Sequence, residues 1–177
     1  GHCAYNFERP DYWKPAMGNV DIPMLDGMML QPNNFSLGEV ECALGTKLLE
    51  RIDAINDAKR KRALAFIDGL ADFPELEFLR EETRRHNYHL LVGRMTSGTE
   101  KRDAFMRAMY EEKGIKCVVQ YIPLNRYDYY IRQGLGEASC PNGDLFYDTM
   151  VSFPFQAWMS DEDFEYMLAS TREVLAK

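Results

Sequence analysis

The chain has 177 residues, 46% hydrophobic and 12% aromatic, enough apolar material to bury one core and too much for a disordered chain. Lys and Arg number 21 against 28 Asp and Glu, a net charge of −7, so the field of the whole molecule repels nucleic acid and anionic membrane and disfavours a polyanion partner. The four cysteines Cys3, Cys42, Cys117 and Cys140 lie far apart with no C-x-x-C and no histidine at ligand spacing, which speaks against zinc and a disulfide framework and for reduced thiols in the cytoplasm.

Residues 1–35 hold four of the eight prolines, Pro10, Pro15, Pro23 and Pro32, among Tyr5, Phe7, Tyr12, Trp13 and the methionines Met24, Met28 and Met29. So irregular and sticky a segment does not bury its own apolar groups. Two readings stand side by side: it packs on something outside this chain, or it lies as an arm on the domain's own surface. No apolar run has membrane-spanning length, and Gly1-His2-Cys3-Ala4-Tyr5 lacks the basic and apolar regions of a signal peptide. The missing initiator methionine is expected of a fragment, a processed product or a tagged chain.

A helix is expected from Ser36, where S-x-x-E with Glu39 spells a capping box. Leu37, Val40, Leu44, Leu48, Ile52 and Ile55 then recur in steps of three and four and form one apolar stripe. Local sequence reads Asn33 and Asn34 just before it as loop residues tolerant of unusual backbone angles; an anion site at the helix start is the alternative. The helical pattern runs to about Leu70, interrupted at Gly45, and Lys59-Arg60-Lys61-Arg62 is read as a solvated face of it.

Glu75–Leu79 alternates as a half-buried strand does, and Tyr88–Met95 reads as a more buried one, the two antiparallel neighbours. A helix over 100–113 is expected, capped by Thr99 and stopped by Gly114, followed by a strand over Ile115–Ile122 that Pro123 ends. A short helix over 144–149 leads into a brief strand at Val151–Pro154. The last helix carries the fullest signal: Ser160 as cap, Asp163 completing the box, Met159 stapling to Phe164, and Phe164, Met167, Leu168, Val174 and Leu175 on the apolar side. This order of elements is that of an α+β domain, a small antiparallel sheet with helices packed on it.

His86-Asn87-Tyr88-His89 is the densest polar cluster. It is a poor metal pair, because histidines three apart on a strand face opposite ways; binding or acid–base groups at a strand end and histidines satisfied within the core are the two readings. Tyr121-Ile122-Pro123-Leu124-Asn125-Arg126-Tyr127 places phenol, amide and guanidinium where a strand ends, a common place for binding loops, with ordinary turn chemistry as the alternative. No G-x-S-x-G, phosphate-binding loop or nucleophilic triad occurs, so no residue of this chain is assigned as catalytic and none as a metal ligand.

Four segments, in this order, resemble the C-terminal part of the DegT/DnrJ/StrS family of sugar aminotransferases: Asn34–Glu39 followed by Ala43-Leu44-Gly45; His86–His89; Tyr121–Asn125; and Val151–Pro154 before Ser160-Asp161-Glu162. The resemblance covers residues 32–177. It implies the small C-terminal domain of a fold type I enzyme over 36–177, with residues 1–35 linking to a large domain upstream. The cofactor implied is pyridoxal 5′-phosphate, held by a Schiff-base lysine and an aspartate at the pyridine nitrogen. Both residues belong to the large domain in that family, and Lys14 does not sit in its lysine motif, so this chain is expected to be inactive alone. The resemblance further implies cofactor contacts at Asn34, which reaches the phosphate across a homodimer, and at Ser36, where many members carry Arg or Lys. His86, His89, Tyr121 and Asn125 would line the side that holds a keto-sugar nucleotide; members often carry His at the position of Asn125. The amino donor would be an amino acid such as glutamate. A relative that uses the same cofactor for sugar dehydration, with histidine for the lysine, and a non-catalytic binding or assembly domain of the same fold are the other classes.

Overall fold

A computed structural model describes residues 24–25, 28–29, 38–80, 86–134, 136 and 138–177. Its first elements are a small antiparallel pair, β1 (Met24–Leu25) and β2 (Met28–Met29), in the register Met24↔Met29. Two helices follow where one interrupted helix is expected: α1 (Glu39–Leu49) and α2 (Ile52–Gly69). The interruption falls at Glu50 and Arg51 and not at Gly45, which sits inside α1; nothing in the side chains there explains it. The cap position of α1 is Gly38, without a side-chain hydrogen bond, so the helix begins later than a box built on Ser36 requires. Ser36 and Leu37 lie outside the described residues.

The first apolar stripe is left largely uncovered among the described residues. Val40 is 77% exposed and Leu44 60%, Leu48 and Ile52 are exposed as well, and no residue of α1 is buried. Helical spacing reports that a stripe has a partner, without saying that the partner lies in the same chain.

The core is built by the rest. Strands β3 (Leu76–Phe78), β4 (Leu91–Met95) and β5 (Met150–Phe153) form one antiparallel sheet in the order β3-β4-β5, with registers Leu76↔Met95 and Leu91↔Phe153. Val118 joins the far side of β5 through a single antiparallel bridge to Ser152, with N–H to carbonyl distances of 2.9 and 2.8 Å. The strand expected over 115–122 is thus reduced to one ladder position, although Ile115, Cys117 and Val119 keep its period-two burial. β4 starts later than Tyr88, because Tyr88 has a positive φ of 45° that a strand does not accept.

One face of the sheet is covered by helices. Phe66 of α2 meets Phe78, Phe153 and Phe164 with ring centroids 5.9, 5.1 and 6.2 Å apart, all edge-on, and Phe105 of α3 (Thr99–Lys113) also meets Phe153. These rings tie three helices to the sheet. The cap of α3 is Gly98, at φ 97°, and Thr99 is its first helical residue, a correction forced by backbone angles that favour glycine. Gly114, at φ 66°, ends that helix as expected, with Ile115 N–H returning to the carbonyl of Met109 at 2.9 Å.

After α3 the chain makes a 3₁₀ turn (Leu124–Arg126) and two unexpected or extended helices, α4 (Asp128–Arg132) and α5, which begins at Pro141 and ends at Thr149. The last helix, α6 (Asp161–Leu175), follows its sequence. Ser160 Oγ accepts the Asp163 N–H at 3.0 Å and donates to the Asp163 carboxylate at 2.7 Å, while Phe164, Met167 and Val174 are buried. No described helix is long and apolar enough to cross a membrane.

Candidate functional site

The two groups of expected substrate residues lie at opposite ends of the sheet. Everything just before Leu91 is at the Phe153 end of β5, because Leu91 pairs with Phe153. The chain after Val118 runs the other way along β5, and Arg126 bonds to Asp148, next to Met150. His86 and His89 are therefore separated from Tyr121 and Asn125 by the length of β5, about 10 Å for a four-residue strand.

At the Phe153 end, 86–89 is a self-bonded turn. His86 Nδ1 accepts the Tyr88 N–H and Asn87 Oδ1 accepts the His89 N–H, both at 3.1 Å. The His86 ring stands edge-on to Tyr88 at 4.4 Å. Tyr88 is 3% exposed and its buried hydroxyl has no partner among the described residues. The basic cluster expected to be solvated fastens this end: Lys59 Nζ donates to the His89 carbonyl at 3.0 Å, Arg60 reaches the His86 carbonyl at 3.5 Å, and Arg62 bonds the Met159 carbonyl and Asp161. Lys59 stands over the Phe155 ring at 5.6 Å, and burial holds its ammonium below the usual lysine range. Of the four, Lys61 is exposed and the other three are half-buried.

A cavity of about 490 Å³ is lined by Phe78, Leu79, Tyr88, Val92, Arg94 and Phe146, with the register partners Arg94 and Glu77 paired at 2.6 Å on its wall. His86 and His89 also line it.

At the Met150 end the loop is locked. The Arg126 guanidinium donates from Nε to Asp144 at 2.7 Å and through both terminal nitrogens to Asp148 at 2.5 and 2.9 Å, and it lies over the Tyr147 ring at 5.3 Å. This pairing holds the Asp148 carboxyl below the usual carboxylate range, through the hydrogen bonds from Arg126 first. Asn125 Nδ2 donates to the Ala138 carbonyl at 3.2 Å, and Tyr121 is 64% exposed. Arg102, itself buried, holds α5 from beneath by donating to the carbonyls of Tyr147 and Met150 at 3.2 and 2.9 Å. Asp144, Asp148 and the carbonyl contacts of Arg102 escape a sequence reading because those partners are distant in the chain, although Arg102 also pairs with the adjacent Asp103 at 2.6 Å. The one signal was the pair of aspartates four apart, which share a face of a helix.

The described residues supply no complete cofactor site. The larger cavity has no lysine in its lining, and a smaller one of about 330 Å³ has Lys101 and Lys177 but no aspartate. Lys47, Lys113 and Lys177 are each paired with a glutamate. Asn34 and Ser36, the two expected cofactor contacts, lie outside the described residues. No group of three His, Cys, Asp or Glu suited to a metal occurs among the described residues.

Comparison with known proteins gives a consistent picture. The sequence model of the DegT/DnrJ/EryC1/StrS aminotransferase family matches residues 18–172. The spore coat polysaccharide biosynthesis protein SpsC of Bacillus subtilis is 28% identical over 142 residues, 77% of this chain and 36% of that protein. A UDP-4-amino-4,6-dideoxy-N-acetyl-beta-L-altrosamine transaminase of Campylobacter jejuni is 26% identical over 151 residues, 81% of this chain and 38% of the transaminase. The chain thus spans little more than a third of these relatives. Among solved structures, Helicobacter pylori PseC, an aminotransferase involved in pseudoaminic acid biosynthesis, superposes with a TM-score of 0.72 at 21% identity over 91% of this chain and 44% of its own. A sugar aminotransferase of Streptococcus pneumoniae, described as putative and solved in PLP and PMP forms, gives 0.69 for each form, covering 77–78% of this chain and 35–36% of its own. At these identities the structural likeness is one of fold.

Proposed function

The chain belongs to the DegT/DnrJ/EryC1/StrS aminotransferase family, and from that premise we propose that it is the small C-terminal domain of an enzyme that moves an amino group from an amino acid to a keto-sugar nucleotide. The match of the family across 18–172 is the observation that carries this reading. The complete enzyme uses pyridoxal 5′-phosphate, which when bound supplies an electron sink for the transfer. The Schiff-base lysine and its aspartate belong to the part upstream of Gly1. Residues 1–35 form the link to it.

In this proposal Asn34 and Ser36 meet the cofactor phosphate of a second subunit, so the working unit is a homodimer, and the enzyme is cytoplasmic. Tyr121 and Asn125 face the sugar nucleotide. His86 and His89, which line the cavity at the far end of β5, are the other two side chains expected on the sugar-nucleotide side.

The test is made on the full-length enzyme. It should show the absorbance of an internal Schiff base that borohydride removes, and it should transfer nitrogen from labelled glutamate to a UDP-keto-sugar. The 177-residue chain alone should do neither. A full-length protein without that absorbance or without a lysine-bearing upstream domain sinks the reading; a histidine in the lysine's place, with loss of water from the sugar, would make it a dehydratase.

A further inference from the structure

The cavity of about 490 Å³ has apolar walls, and the polar side chains among them are sorted by the bonds they already make. Phe78, Val92, Leu79 and Phe146 line it, and Leu79 remains 66% and Phe146 45% exposed, so apolar surface there faces water. Size and lining are those of a small-molecule site.

The Tyr88 N–H donates to His86 Nδ1 at 3.1 Å, which in the neutral ring leaves the proton on Nε2. The His89 N–H donates to Asn87 Oδ1 at the same distance, which leaves the Asn87 NH₂ group. Arg94 gives Nη2 to Glu77, the one acid among the described lining residues, and keeps its other N–H donors. Acceptors are consumed and donors remain. Tyr88, 3% exposed, also lines the cavity, and its hydroxyl has no partner among the described residues. Lys59 and Arg60 fasten the turn through the carbonyls of His89 and His86, so these donors are in place before a ligand arrives and cost little to order. Both cations also stand behind this wall and make it attractive to an anion.

We infer that the cavity binds a small molecule with a negatively charged head on an aromatic body, the head accepting from His86, Asn87 and Arg94 and the body lying against Phe78, Leu79 and Phe146. Charge-assisted bonds to fixed donors favour an anion over a neutral head, and a head without acceptors would leave those donors desolvated and unpaired. The rings of Phe78, Tyr88 and Phe146 in the lining favour an aromatic body. An aromatic carboxylate has this chemistry, and so has a phosphate on a pyrimidine nucleoside. Nothing in it depends on amination of a sugar.

In the experiment the 177-residue chain is titrated by calorimetry with naphthoate, with its neutral counterpart naphthylmethanol, and with acetate. Naphthoate should bind at a single site and more tightly than either of the others by roughly tenfold or more. Asn87→Asp keeps the acceptor for the His89 N–H and turns the donor into a carboxylate oxygen; it should weaken naphthoate by roughly tenfold and leave naphthylmethanol within about twofold. Glu77→Gln frees the Arg94 guanidinium of its charged partner and should tighten naphthoate severalfold, a gain that damage to the fold does not produce. Leu79→Ser, at an exposed position, should weaken both naphthalene compounds alike. Uridine monophosphate and uridine identify the source of the head. Displacement of naphthoate by the nucleotide and not by the nucleoside assigns it to a nucleotide phosphate, whereas naphthoate that the nucleotide leaves in place assigns it to a free carboxylate. Equal affinity for naphthoate and naphthylmethanol, naphthoate binding unmoved in Asn87→Asp and in Glu77→Gln, or no saturable binding at concentrations on the order of 10 mM overturns the inference. Binding is read without amination, so this site and the enzyme class fail separately.

Discussion

Cys117 lies in the period-two run beside β5, 1% exposed, and burial pushes its thiol up to about 12. It is therefore protonated and unreachable at ordinary pH, whereas Cys42 and Cys140 are exposed. Iodoacetamide at about pH 8 should label Cys42 and Cys140 in the folded chain and spare Cys117 until denaturant is added, as peptide mass spectrometry would show. Native labelling of Cys117 at a rate like that of Cys42 would contradict its place in the core. The alternation that buries Ile115, Cys117 and Val119 was legible from the sequence. The commitment of Arg126 was not, because a guanidinium in a loop looks the same whether it is held for substrate or paired with Asp144 and Asp148. His86 and His89 show the converse: they are close in sequence, yet one is turned onto Tyr88 and the other onto solvent.

Among the elements, α6 was the most fully legible, because cap, box and apolar face all agree locally. Ser160→Ala removes the acceptor for the Asp163 N–H and should lower stability by about 1 kcal/mol, read from the urea midpoint. An unmoved midpoint would mean the cap contributes nothing. The first helix misled, since its stripe is as regular as that of α6 and remains exposed. Val40→Ser combined with Leu44→Ser should accordingly leave the stability of the isolated chain within about 0.5 kcal/mol. A fall of about 2 kcal/mol or more would show that the stripe is buried within this chain after all. Strand boundaries around Tyr88 and after Cys117 were beyond reach, because a positive φ and a single bridge are set by tertiary contacts and leave no mark on hydropathy.

For the whole molecule, the α+β class followed from the order of periodicities alone, and the antiparallel pairing of β3 with β4 from their closeness in the chain. The placing of β5 in the sheet, and hence the separation of the two polar clusters, needed the register. That same topology sets a timetable for synthesis. β5 and α6, which supply Phe153 and Phe164 to the ring cluster around Phe66, are made after α2, β3 and β4. A nascent chain that has emitted α2, β3 and β4 still carries Phe66 and Leu91 bare and β4 with one edge unpaired, the kind of surface chaperones recognise. Truncation between β4 and Phe164 therefore leaves a sticky intermediate in place of a shortened domain, and ribosome-stalled chains ending there should be bound by chaperone and cut by protease until α6 emerges.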